Sequence, residues 1–224
     1  MLSLFKQALT VLGSYLPGTA IVQLQAFVNY IAVGRWMADR QYRFPARVAD
    51  RGAVWTEMLK IAADRKVLYL EFGVYTGAAT RFWSGGLRHP DSILHGFDSF
   101  EGLPDAAGPW KQGQFDVAGR MPQIDDSRVR FFKGWFDATL PTYAPPSHDL
   151  LVLNLDADLY TSTLCVFDYI GPLIKPGTLI YFDEMNHVTH EPKAFAEFMQ
   201  KSGRRFKPLA ADRTLAHVAF ECVA

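Results

Sequence analysis

The chain has 224 residues, 49% hydrophobic and 21% charged, with 23 Lys plus Arg against 23 Asp plus Glu. That length suffices for one substantial domain with its own core, and the balanced charge excludes the broad basic excess that general nucleic-acid binding requires. The two cysteines, Cys165 in an apolar helical pattern and Cys222 in a strand pattern, lack zinc-type spacing and read as buried free thiols of a reducing, cytoplasmic compartment.

Residues 1–50 read as helical, with no strand alternation. Gln7, Thr10 and Ser14 interrupt the apolar run of a signal peptide, so the first stretch reads as an amphipathic helix. Residues 20–34 hold Gln23, Gln25 and Asn29, too short and too polar a run for stable membrane insertion. Surface attachment and dimer packing both stay open for this segment. Its aromatic residues suit an acceptor pocket, a subunit interface or simple helix packing. The charged stretch 39–52, broken by Pro45, reads as a linker or lid. The division expected is a helical segment, 1–50, and a main domain, 51–224.

From residue 53 the pattern changes. Apolar residues at helical spacing (53–65) lead to VLYLEFGV (67–74), a run suited to a strand buried on both faces. A helix (76–88) and strands at 92–98, 128–134 and 149–156 follow. Then come a helix (159–174), a strand (178–184), a helix (191–203) and a closing antiparallel pair, 204–210 and 213–223. Strands alternating with helices predict a doubly wound, mostly parallel α/β sheet of seven strands. Residues 105–127, between the second and third strands, read as a lid or a packed surface excursion.

In open sheets of this kind ligands sit beyond the C-terminal strand ends. Glu71-x-Gly73-x-x-x-Gly77 is not the three-glycine pyrophosphate fingerprint, which sets aside a nicotinamide dehydrogenase. It suits a ligand without phosphates, or a strand–helix turn that needs glycine for packing. Asp98, ending the second strand, suits ribose hydroxyls or a helix cap. Asp156 and Asp158 after the fourth strand, with Asp183 and Glu184 after the fifth, would share one rim. Such acids repel unless a cation sits among them, and a hard divalent ion is the natural occupant; solvated loop acids are the alternative.

EFGVYTG (71–77), GFDSFEGLP (96–104), KGWFDATLP (133–141), LDADLYTST (155–163) and FDE (182–184) together resemble the class I S-adenosylmethionine-dependent methyltransferases. More narrowly they resemble the macrocin O-methyltransferase (TylF-like) family. The resemblance implies a Rossmann-like fold and an O-methyltransferase for natural-product biosynthesis. Such an enzyme uses S-adenosylmethionine and Mg2+ or another divalent cation, and acts on a hydroxyl of a sugar or other polyhydroxylated small molecule. It implies that Glu71, Gly73, Tyr75 and Gly77 surround the methionine part of the cofactor. Asp98 would take the ribose, with Ser99, Phe100, Trp135 and Phe136 about the adenine. Asp156, Asp183 and Glu184 match the metal ligands, Asp156 also facing the cofactor, and Asp158 matches a general base. The family's Asp-Asp or Glu-Asp is Asp183-Glu184 here, which keeps the charge and lengthens one ligand. A homo-oligomer is a further implication. The competing readings are a metal-independent methyltransferase of the same fold and an inactive cofactor-binding protein. His187 and His190 read as loop histidines outside catalysis.

Overall fold

The computed structural model describes residues 2–107 and 110–224. Met1, in the predicted helical segment, and Gly108 and Pro109, in the predicted lid, lie outside the described residues. Two helices, α1 (Leu2–Tyr15) and α2 (Gly18–Asp39), precede a short strand, β1 (Ala46–Val48), and α3 (Arg51–Ala62). Then follow β2 (Val67–Phe72), α4 (Ala78–Gly86), β3 (Ile93–Asp98), β4 (Val129–Lys133), α5 (Phe136–Thr139) and β5 (Leu150–Leu155). The chain closes with α6 (Tyr160–Ile170), β6 (Leu179–Phe182), α7 (Glu191–Ser202), β7 (Phe206–Asp212) and β8 (Val218–Cys222).

The strands form one sheet in the order β1-β7-β8-β6-β5-β2-β3-β4. Pairings are parallel except β6–β8 and β7–β8. The chain lays β3 and β4 on one side of β2 and β5 on the other, so the winding reverses between β2 and β5. All six residues of each of these two strands are buried. That explains their continuous apolar runs: a strand covered on both faces has no solvent side to alternate with.

The sheet has eight strands, not seven. The extra strand, β1, comes from the stretch read as linker or lid. Three residues after Pro45 are too few to show a period, and β1 exists because Ala46, Arg47 and Val48 pair with Ala210, Ala211 and Asp212. Arg47 adds side-chain bonds to the carbonyls of Asp212 and Arg213. Among the described residues no helix joins β3 to β4; a long loop makes that connection.

Residues alternating along each strand feed two cores. Tyr69, Val152 and Tyr181 face α3 and α4, meeting Trp55, Met58 and Trp83. Leu70, Leu153 and Phe182 face α6 and α7. The second core centres on Phe195 of α7, whose ring lies 4.7 Å from Phe182, 4.8 Å from Phe206 and 5.3 Å from Phe220. The end of α2 joins it through Val33 and Met37, both buried, and Trp36, whose ring stacks 6.4 Å from Phe195. By contrast, no residue of α1 is buried. No described helix is long and apolar enough to cross a membrane.

Removing the Phe195 ring should leave a cavity among five aromatic neighbours, Trp36, Phe167, Phe182, Phe206 and Phe220. Phe195→Ala is expected to lower unfolding free energy by about 3–5 kcal/mol, read from urea denaturation.

Candidate functional site

The hydrogen-bond ladder of the sheet runs one residue past the strand ends. Gly73 donates to the Phe97 carbonyl at 3.0 Å, Asp156 to Phe72 at 2.9 Å, Asp183 to Leu155 at 3.0 Å and Gly134 to Asp98 at 3.0 Å. The first residue of each loop is therefore fixed in register along one rim, at the point where the winding reverses. Gly73 has φ +91°, and a Cβ there would stand 1.8 Å from the Asp156 carbonyl oxygen. Only glycine lets the β2 and β5 loops pass this closely.

Above this rim lies a cavity of about 710 Å³, within the range of small-molecule sites. Gly73, Tyr75, Asp98, Ser99, Trp135 and Phe136 line one part, and Asp156, Asp158, Asp183 and Glu184 another, with Arg51 of α3 among them. Leu103, Pro104 and Phe115, from the loop after β3, also border it.

Three other residues of the expected cofactor set stand outside the lining. Glu71 is buried beneath it and accepts bonds from the Tyr69 hydroxyl at 2.9 Å and the Thr80 hydroxyl at 2.6 Å. Burial pushes its pKa up to about 8 despite those bonds. Phe100 is fully buried, edge-on to Phe131. Gly77 heads α4 with φ +79°, and a Cβ there would meet Pro122 at 2.9 Å. It forms the tight turn between β2 and α4.

Asp98 is heavily engaged already. Its Oδ2 accepts from the Val74 and Tyr75 amides at 2.7 and 2.8 Å, and its Oδ1 from the Phe100 amide at 2.6 Å. A carboxylate has about four acceptor sites, so one remains for a ligand. The same bonds hold Tyr75 (φ 51°) and Phe100 (φ 57°) in left-handed conformations that non-glycine residues rarely adopt.

The acid rim is short of positive charge. Burial, then Asp183, Asp158, Glu191 and Glu184, push Asp156 well above the usual carboxylate range. Burial, then Asp183 and Asp98, push Asp158 up to about 7. Burial, then Asp183 and Asp158, push Glu184 up to about 8. Asp183 is the exception. Burial drives it up, yet bonds from His217 and Tyr181 and the charge of Arg51 bring it below its usual value. His217 Nδ1 stands 3.1 Å from Asp183 Oδ1, and Arg51 is 3.7 Å from Oδ2. Asp158 has φ 56°, a left-handed backbone of the kind that collects at functional sites.

A divalent cation suits the oxygen chemistry of this rim, which leaves several carboxylates uncompensated. The predicted ligands Asp156, Asp183 and Glu184 do not close into a ready cage, however. Among the described residues no three His, Cys, Asp or Glu side chains converge as a metal group. Asp183 is turned to His217 and Tyr181 through Oδ1.

Two residues that organise the rim escaped the reading of the sequence. His217 sits in the closing hairpin and pairs with Asp183 only after β8 has packed beside β6. Glu191, the fully buried first residue of α7, accepts from the Ala157 amide at 3.3 Å through Oε1 and from the Glu184 amide at 3.0 Å through Oε2. One carboxylate thus ties together the two acid-bearing loops. In the sequence it looks like an ordinary acid at a helix start.

The predicted lid is fastened here. Trp110 is buried, its ring centre 4.6 Å from that of His187 and 4.9 Å from that of His190. Burial, then His190, push His187 down to about 4, so its ring is neutral near pH 7. Both histidines are contacts of the loop.

Glu71 favours its protonated form in the fold. Its folded pKa of about 8 lies above the ordinary glutamate value of 4.5. The stability it contributes is therefore full below pH ~4.5 and is lost as pH rises through about 8. Glu71→Gln should gain stability relative to wild type by a few kcal/mol between pH 5 and pH 8, read from denaturant midpoints at each pH. For Glu191→Ala, two buried amides lose their acceptor; a loss of about 2–4 kcal/mol in stability is expected by the same measurement, with Glu191→Gln recovering part of it.

Comparison with known proteins gives a concordant picture. Residues 113–210 match the sequence model of the macrocin-O-methyltransferase (TylF) family. The chain is 31% identical over 140 residues to the Streptomyces olivaceus 8-demethyl-8-(2,3-dimethoxy-alpha-L-rhamnosyl)-tetracenomycin-C 4'-O-methyltransferase, 51% of each chain. It is 30% identical over 138 residues to the mycinamicin III 3''-O-methyltransferase of Micromonospora griseorubida, 51% of this chain and 54% of that one. The chain spans about half the length of the curated relatives it matches. In fold it is similar to the O-methyltransferase NovP, with TM-score 0.62 and 21% identity over 89% of this chain and 100% of that one. It is also similar to the calicheamicin methyltransferase CalS11, with TM-score 0.57 and 21% identity over 75% and 76%. Over residues 113–210 the chain is thus similar to the macrocin-O-methyltransferase (TylF) family, and its sheet has a fold similar to that of the methyltransferases NovP and CalS11.

Proposed function

We propose that the chain is an O-methyltransferase that moves a methyl group from S-adenosylmethionine to a hydroxyl of a sugar or other polyhydroxylated small molecule, in natural-product biosynthesis. The observation that carries this reading is the juxtaposition within one cavity of a Gly73–Asp98–Trp135–Phe136 pocket and the acid rim. Sequence relatives named as O-methyltransferases, one of them for a rhamnosyl compound, support it.

S-adenosylmethionine, when bound, supplies an electrophilic methyl group, and a divalent cation, when bound, makes a coordinated hydroxyl more acidic. The bare backbone of Gly73 gives room for the methionine end. Asp98 keeps one acceptor site for a ribose hydroxyl, and Trp135 and Phe136 offer apolar surface to a purine. Asp156, Asp183 and Glu184 would hold the cation. Asp158 accepts the proton of the acceptor hydroxyl, and Arg51 holds Asp183 ionised beside it. Leu103, Pro104 and Phe115 keep water from the reacting groups, which strengthens these electrostatic effects.

The metal-independent form of the reaction is the second reading. It is favoured by the pairing of Asp183 with His217 and by the absence of a ready ligand group among the described residues. In it the acids bind hydroxyls of the acceptor directly. In either case the balanced charge points away from nucleic acid as partner. The unpaired Cys165 and Cys222 suit a cytoplasmic setting.

Calorimetric titration with S-adenosylhomocysteine, in magnesium and then in EDTA, tests the reading together with methyl transfer to a panel of hydroxylated acceptors. Micromolar binding is expected in both buffers, with transfer lost in EDTA and in Asp156→Asn. Transfer undiminished in EDTA selects the metal-independent reading. No binding in either buffer overturns the methyltransferase assignment.

A further inference from the structure

The first two helices carry an apolar surface that none of the described residues covers. On α1, Leu2, Phe5, Leu9 and Leu12 follow one another at spacings of three, four and three residues. On α2, Ile21, Leu24, Val28 and Ile31 repeat that spacing. All eight are exposed, from 45% at Ile21 to 74% at Ile31. A three–four–three repeat lines apolar side chains along one seam of a helix, the arrangement by which one helix packs into another. Here both seams face solvent. Eight large residues exposed by about half or more present an area on the order of 800 Å². That is what each partner gives to a standard specific interface, and more than the ~300–600 Å² of the largest patch on a typical monomer.

Two further facts identify the occupant. The 14-residue α1 has no buried residue, and a helix of that length is marginal in water without packing. It needs a partner for its own stability. Lys6 is the one charged side chain between residues 2 and 34. A helix that binds a membrane surface has a basic polar face, which neither helix has. Val22 and Tyr30 of α2 are exposed as well, away from its seam. The apolar surface thus extends around α2, as a helix inside a bundle requires and a helix lying on a flat surface does not.

We propose that α1 and the first two-thirds of α2 form a self-association surface, occupied by the same two helices of a second copy of this chain. Each copy offers two seams of matching period, so a two-fold pairing covers both sets at once in a four-helix arrangement. This gives residues 1–50 the role of an oligomer contact. The surface also touches the candidate site: Asn29 of α2 lies 3.2 Å from His187, which packs against Trp110 of the loop over the cavity.

Sedimentation of the full chain at micromolar concentration tests the proposal. The wild type should sediment at twice the chain mass of 25.2 kDa. Leu9→Glu combined with Leu24→Glu should halve that mass while retaining the circular-dichroism signal of the folded sheet. Ser3→Glu adds the same charge to α1 off the seam and should keep the doubled mass. A wild type that sediments at 25.2 kDa overturns the proposal. So does a double variant that stays associated, which would place the contact elsewhere. Flotation of a monomeric wild type with phosphatidylcholine vesicles would also overturn it and assign the surface to lipid.

Discussion

Everything at the candidate site depends on a parallel hydrogen-bond ladder that continues one step beyond the strands it joins. Because Gly73, Asp156 and Asp183 each donate to a carbonyl at the C-terminal end of a neighbouring strand, three loops distant in sequence begin at fixed places on one rim. The constraint is severe at the reversal of winding. There the β2 and β5 loops approach so closely that a methyl group at residue 73 has no room. The site is thus an outgrowth of the sheet, and its precision is that of the buried strands.

A cluster of acids on such a rim has an electrostatic cost, and the fold meets it unevenly. Asp183 is given His217, Tyr181 and Arg51; Asp156, Asp158 and Glu184 are given one another. Glu191 adds a further carboxylate beneath them, turned to the backbone amides of Ala157 and Glu184. Burial and mutual repulsion therefore raise the affinity of Asp156, Asp158 and Glu184 for protons, while Asp183 stays ionised. A ligand carrying positive charge or hydroxyl donors is the natural complement of that arrangement. The apolar wall on the other side of the cavity has the opposite need, so one cavity offers two chemistries a short distance apart.

The loop between β3 and β4 takes the place of a crossover helix, and its hold on the body is aromatic. Trp110 sits between two uncharged histidines of the β6–α7 connection, one of which reaches Asn29 of α2. The N-terminal helices, the loop and the acid rim are in this way contiguous. The core behind them is built on the same principle, with Phe195 joining α2, α7 and the sheet.

The sequence alone determined the alternation of strands and helices, the doubly wound sheet and the strand ends at which chemistry gathers. Those features rest on local periodicity and on rules of chain winding, which need no coordinates. Gly73, Asp98, Trp135, Phe136 and the four acids were legible because they follow strand ends directly, and the ladder carries such residues to the rim. What only the tertiary structure decided depends on contacts between distant segments. Glu71 and Phe100 turned inward, and the side of a strand or turn that a residue faces is set by what packs there. β1 formed because an edge of β7 was free. His217 and Glu191 became part of the site through partners 34 and 7 residues away in sequence, Asp183 and Glu184, and no period or motif records such a meeting. The seams of α1 and α2 were written in the sequence as apolar spacing, but that they stay uncovered is a fact of packing, visible only once the rest of the chain has found its place.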